Sequence, residues 1–292
     1  MIDIHNSSHF PPNTIHNKTS TLQQESTPPR IPSRELSLDF EPIFTLPLIG
    51  EPAPPFRART TQGPINFPSD YKGKWVLFFS YPGDFCATCT TEMLALIENK
   101  SLYDELGVEI VALSIDSLLS HYAWLKSIYD LDYNGYKNTV IDFPVIADTS
   151  MEISRKYGLL RRGETETETV RGGFLIDPKG IIRTVQIYPR EVGASGSEIR
   201  RVVEAMMKFD KENVYMPANW QPGDDVLLPQ PNNFSDIMKR EDYRTKDGSI
   251  YCPNWYMCFK KDTETPQTNA SSKHNGTNYS NILMDRYPKK PF

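Results

Sequence analysis

Tyr81-Pro82-Gly83-Asp84-Phe85-Cys86-Ala87-Thr88-Cys89-Thr90-Thr91-Glu92 decides how the rest of the chain is read. It follows Trp75-Val76-Leu77-Phe78-Phe79, an unbroken apolar run of the kind that forms a strand buried on both faces. Pro82 and Gly83 mark a loop. Beyond it Thr90, Met93, Leu94 and Ile97 fall on one side of a helical repeat, which places Cys89 in the first turn of a helix. Unpaired N–H groups and the dipole at a helix start favour a thiolate over a thiol, so the spacing predicts a cysteine of lowered pKa, nucleophilic at neutral pH. A free cysteine is also commonly a small buried hydrophobe, and position alone leaves both readings open.

Outward from this stretch, composition narrows the function classes. The chain has 292 residues, 38% of them hydrophobic, enough for a substantial core in one large domain or two small ones. The net charge of −5, from 32 Lys+Arg against 37 Asp+Glu, gives no general attraction to nucleic acid or anionic lipid, so neither is expected as a partner. No apolar run approaches the length of a membrane-spanning helix, and residues 1–34 lack the hydrophobic centre of a secretory signal; the chain is read as cytoplasmic.

Cys86, Cys89, Cys252 and Cys258 are too few and too unevenly placed for a disulfide scaffold. Zinc is the other standard use of two cysteine pairs, but five residues separate the second pair, more than the usual two to four. Working thiols are the simpler reading. Residues 1–40 and 262–292 are rich in Ser, Thr, Asn and Pro without a hydrophobic period, and are expected to be disordered extensions.

Between these ends strands and helices alternate. Strands are expected over 108–115 and 143–147, and helices over 120–129 and 151–157, the latter closed by Gly158. Asp177-Pro178-Lys179-Gly180 is a turn signal that makes 170–177 and 181–188 an antiparallel hairpin, and a helix follows over 196–209. The fold class is therefore α/β, on a thioredoxin-like plan with a reactive cysteine opening the helix after a central strand.

The order Pro82-x-x-x-Cys86-x-x-Cys89-Thr90-Thr91-Glu92 resembles the peroxiredoxin signature Pro-x-x-x-Thr/Ser-x-x-Cys, usually continued by Thr-Glu. Further blocks are similar to the family in the family's order: Ser114-Ile115-Asp116-Ser117 with Ser120-His121-Tyr122-Ala123-Trp124, Phe143 to Asp148, Arg171 to Asp177, and Pro217 to Asp224. The resemblance spans about residues 48 to 260. It implies that Cys89 is the peroxidatic cysteine, that Pro82 shapes and shields its loop, and that Arg171 stabilises the thiolate and polarises a peroxide. Glu92 matches the family acid that could orient Arg171, although an acid in a first helical turn is favourable on dipole grounds alone. His121 and Trp124 are expected as packing residues without a catalytic role. One position departs from the pattern: the family's Thr or Ser is Cys86 here.

Met216 stands where two-cysteine members of the family carry a resolving cysteine before Pro217. The chain instead resembles the 1-Cys-type branch, whose long C-terminal arm packs on a partner subunit. That implies a peroxidase domain over 41–210 and an arm over 211–261, forming homodimers or a ring of dimers. Cys252-Pro253-Asn254-Trp255-Tyr256-Met257-Cys258 resembles an arm element of some members, with Trp255 and Tyr256 as anchors. The implied activity is thiol-dependent reduction of hydrogen peroxide and organic hydroperoxides through a sulfenic acid on Cys89. Cys258, Cys252 or Cys86 would resolve it, an external thiol or dithiol would supply electrons, and no cofactor would be needed. Two other readings are a thiol–disulfide oxidoreductase using Cys86 and Cys89, and a ring-forming holdase. Against the first, residues 170–177 contain no proline facing the motif; against the second, Cys89 and Arg171 are both retained.

Overall fold

A computed structural model describes residues 46–160, 167–240, 245 and 247–262. The expected disordered extensions, 1–40 and all but Asp262 of 262–292, lie outside the described residues.

In chain order the elements are β1 (Phe56–Thr60), β2 (Gly63–Phe67), β3 (Trp75–Ser80), α1 (Ala87–Glu98), α2 (Lys100–Glu105), β4 (Val108–Ser114) and α3 (Leu118–Asp130). A small hairpin of β5 (Asp132–Tyr133) and β6 (Tyr136–Lys137) precedes β7 (Val145–Ala147), α4 (Glu152–Lys156), β8 (Arg171–Ile176), β9 (Ile182–Tyr188) and α5 (Gly196–Glu212). Then come β10 (Val226–Leu227), α6 (Phe234–Arg240), β11 (Ile250–Asn254) and β12 (Met257–Lys260). The main sheet has seven strands in the order β2-β1-β7-β4-β3-β8-β9. Strand β4 runs parallel to both β3 and β7, and β8 runs antiparallel to β3.

Strand β3 is buried at all six positions because both of its faces are covered. Trp75, Leu77 and Phe79 face a cluster with Met93, Leu94, Trp124 and Val203, while Val76 and Phe78 face Phe56, Phe67, Tyr157 and Phe174. The alternation is the two-residue period of a strand, and each such side chain taken from water contributes roughly 1.5–3 kcal/mol. The expected hairpin is present: Asp177 Oδ1 accepts the N–H groups of Lys179 at 2.9 Å and Ile181 at 3.0 Å, and Gly180 supplies φ of 81°.

Registration of β3 against β8 positions the chemistry. Ser80 pairs with Gly172, so Arg171 enters the sheet beside the point where β3 releases the chain into the loop before α1. Ser80 Oγ fastens this corner by donating to the carbonyl of Val170 at 2.9 Å.

The C-terminal strands form their own sheet, β10-β12-β11, which rests on the end of α5. Trp220, Val214 and Val226 pack with Ala205, and Lys260 reaches Glu212 at 3.0 Å. Cys252 and Cys258 are joined as a disulfide across the β11–β12 hairpin. Trp255 and Tyr256, expected as anchors, stand 37% and 51% exposed at its tip in the single chain.

Candidate active site

Loop residues 81–86 run from the end of β3 to the start of α1, and three elements hold them. Asp84 donates its backbone N–H to Asp116 Oδ2 at 2.9 Å, and Ser114 Oγ donates to the same oxygen at 2.8 Å. The side chain of Asp84 lies 2.9 Å from Nδ1 of His121, a ring with no solvent exposure, and Nε2 of that ring meets the carbonyl of Ile146 at 3.1 Å. Tyr81 donates its hydroxyl to Asp84 at 2.9 Å and packs on Trp124, while Thr169 Oγ1 donates to the Tyr81 carbonyl. Burial, and then the charge of Asp84, holds the Tyr81 phenol well above its ordinary value, so it is a donor here. Pro82 is buried within this loop.

Cys86 caps α1. Its backbone is extended, with φ of −75° and ψ of 125°, and its Sγ accepts the N–H of Cys89 at 3.2 Å. Sulfur thus does what a Ser or Thr oxygen does at most helix starts. Thr90 reinforces the turn: its Oγ1 donates to the Cys86 carbonyl at 3.0 Å and accepts from Trp124 Nε1 at 3.2 Å.

Cys89 lies in the first turn, as the periodicity predicts, with no solvent exposure. The Arg171 guanidinium comes to it from β8, with Nη2 3.8 Å from the sulfur. That guanidinium is itself fixed: Nη1 pairs with Glu92 Oε2, and Nη2 donates to the carbonyl of Arg190 at 3.0 Å. Glu92 turns its other oxygen to the N–H of Ala194 at 2.6 Å. The pair is almost wholly buried, 0% exposed for the Arg171 side chain and 3% for that of Glu92. Among the described residues, Arg171 Nε–H is buried without a hydrogen-bond partner.

One expectation is corrected. Rather than being lowered, the pKa of the Cys89 thiol is pushed up to about 12 in this closed arrangement, first by burial and then by the hydrogen bond and charge of Cys86, against the lowering pull of Arg171 and the Gly83 N–H. Burial costs the anion more than Arg171 and the Gly83 N–H return. Glu92 is likewise raised by burial, although the Ala194 N–H and Arg171 pull it down. Burial opposes the charge of Arg171, but Glu92 and Cys89 outweigh it and raise its pKa, so it stays a cation.

Replacing Cys86 with Thr exchanges a sulfur that raises the Cys89 pKa for a hydroxyl that donates to the anion, and keeps an N-cap. In Cys86→Thr the midpoint of Cys89 alkylation against pH, followed by mass spectrometry of its peptide, is expected at lower pH than in the native chain. An unmoved midpoint would show that Cys86 has no hold on the ionisation.

Of the residues expected at the site, the structure brings together Pro82, Cys86, Cys89, Glu92 and Arg171. It places Cys252 and Cys258 in the arm sheet, bonded to each other. No signal in the sequence marks Asp84, Tyr81 and Asp116 as the supports of the loop, and His121, expected as packing alone, holds Asp84 as well.

Comparison with known proteins gives these residues a setting. Residues 49–185 match the model of the AhpC/TSA family, and residues 208–245 match that of the C-terminal domain of 1-Cys peroxiredoxin. A protein named peroxiredoxin from Methanosarcina mazei is 46% identical over 220 residues, covering 75% of this chain and 100% of that protein. Peroxiredoxin 2 of Caldanaerobacter subterraneus is 42% identical, covering 75% and 96%. Among solved structures, a yeast mitochondrial 1-Cys peroxiredoxin superposes with a TM-score of 0.64 at 34% identity, over 74% of this chain and 100% of that one. A cysteine-to-serine mutant of peroxiredoxin 6 from Arenicola marina gives 0.64 at 27% identity, over 75% and 100%.

Proposed function

The chain belongs to the AhpC/TSA family and is a peroxiredoxin, a thiol-dependent peroxidase of thioredoxin-like fold with a C-terminal arm domain; from this we infer that Cys89 is the sulfur that meets the peroxide. What carries the inference is one arrangement: a cysteine in the first turn of α1 faced by a buried guanidinium 3.8 Å away, itself held by Glu92. The Cys89 thiolate attacks the nearer peroxide oxygen, the O–O bond breaks, and water or an alcohol leaves with a proton, giving a sulfenic acid. Arg171 stabilises the thiolate, and its unpartnered Nε–H is a donor still available to an oxygen of the peroxide. Glu92 fixes the guanidinium plane, and Pro82 keeps bulk water from the sulfur.

Substrates are hydrogen peroxide and organic hydroperoxides. Electrons return from an external thiol or dithiol; the yeast relative is described with the glutathione and thioredoxin systems. Residues 41–210 serve as the peroxidase domain and 211–261 as an arm that joins two copies, in a cytoplasmic protein. Among the described residues no helix is long and apolar enough to cross a membrane.

The test is peroxide consumption with dithiothreitol as electron donor, repeated with dimedone, which traps sulfenic acids. Dimedone is expected to inactivate the protein only while peroxide is being consumed, leaving its label on Cys89. Inactivation without peroxide, or a label confined to another residue, would remove Cys89 from the role.

A further inference from the structure

Resting on the reading of Cys89 as the peroxidatic sulfur, we propose that Cys86 resolves the Cys89 sulfenic acid within the same subunit and is the sulfur through which the reductant enters. Several observations converge on it. Cys86 and Cys89 are already drawn together by the cap, with Cys86 Sγ accepting the Cys89 N–H at 3.2 Å. Cys86 caps α1 and Cys89 lies in its first turn, the Cys-x-x-Cys arrangement in which redox-active disulfides form. The Arg171 guanidinium stands 3.8 Å from the Cys89 sulfur, where it stabilises the thiolate that leaves when the disulfide is reduced. Their exposure differs: Cys89 is fully buried and Cys86 is half-buried. Finally, Cys252 and Cys258 are bonded to each other, so in this state the arm holds no free thiol to offer.

The chemistry balances with these two sulfurs and a dithiol. After peroxide has oxidised Cys89 to its sulfenic acid, the Cys86 thiolate attacks the Cys89 sulfur. The S–O bond breaks and hydroxide leaves as water with one proton; two thiols have become a disulfide and one peroxide has been reduced. A thiolate of an external dithiol then attacks Cys86 Sγ, the more exposed sulfur. This expels Cys89 as the thiolate beside Arg171 and leaves a mixed disulfide on Cys86. The reductant's second thiol displaces Cys86 and closes the cycle. Both sulfurs sit at the start of α1, so resolution needs no approach by another subunit.

The experiment uses the full chain carrying Cys252→Ser and Cys258→Ser, given one equivalent of hydrogen peroxide, quenched with acid and alkylated. Mass spectrometry is expected to show a monomer that has lost two hydrogens within the peptide containing Cys86 and Cys89, with neither alkylated. In Cys86→Ser, where an oxygen keeps the cap, the sulfenic acid on Cys89 is expected to persist at least about tenfold longer and to advance to sulfinic acid under excess peroxide. Circular dichroism matching the native chain verifies that each variant is folded. A double variant that consumes peroxide yet accumulates a dimedone-reactive Cys89, or a disulfide-linked dimer, overturns the role of Cys86 and leaves the peroxidase reading standing. Failure of the native chain and the double variant alike to consume peroxide overturns both.

Discussion

Cys89→Ser is expected to slow peroxide consumption by about a thousandfold or more, because in the same surroundings a hydroxyl ionises far less readily than a thiol and its oxygen is a far weaker nucleophile than sulfur. The change is nearly isosteric, and the site that receives it is fully buried and closely packed, so the fold is expected to survive. Stopped-flow measurement of peroxide loss, with circular dichroism as the control for folding, decides the matter. A folded variant that kept more than a few per cent of the native rate would mean another sulfur meets the peroxide.

Arg171→Met is expected to act on two quantities at once. Without its partner, Glu92 is left as a buried acid whose remaining support is the Ala194 N–H at 2.6 Å, and breaking such a pair from one side costs about 3–5 kcal/mol. The rate of Cys89 oxidation should also fall, by about a hundredfold or more, through loss of a preorganised donor. The double variant Arg171→Met/Glu92→Gln separates the effects: it should recover much of the stability and none of the rate, as read by urea unfolding and single-turnover kinetics. The pH dependence has a definite sign. Removing Arg171 raises the folded-state pKa of Glu92 further above the ordinary 4.5, so its folded form is favoured below that pH and penalised as pH rises through the raised value. The stability deficit of the single variant should therefore shrink on acidification. A deficit that did not change with pH would show that Glu92 is not the group left stranded.

Much of this architecture is legible in the residues. The Trp75 to Phe79 run, the turn at Asp177 to Gly180 and the helical period after Cys89 each express a single local rule, and the structure has a buried strand, a hairpin and a helix there. Arg171 is legible through the family resemblance, and its partner Glu92 through position. The hairpin of β1 and β2 escapes notice although Phe56, Ala58 and Thr60 alternate with Arg57 and Arg59, because each run is only five residues long and Gly63-Pro64 opens the second. The Asp84–His121 pair is hidden for another reason. The two residues stand 37 positions apart on a loop and a helix, and no local pattern says that a histidine in an aromatic stripe has its ring between a carboxylate and a carbonyl. The Cys89 ionisation is not legible because the helix start is visible in sequence, whereas the complete burial that opposes it is a property of the packed molecule.

That burial also selects among oxidants and reagents by size. A sulfur with no surface of its own can be reached only by something slender, and the –OOH end of a peroxide is about the smallest oxidant group a cell presents, whereas a protein thiol is among the bulkiest reductants. The half-buried Cys86 stands at the rim, where a large visitor can be received. Division of labour between a deep sulfur and a shallow one would let the protein admit its oxidant and its reductant by different doors, and spare the nucleophile from casual encounters with other disulfides.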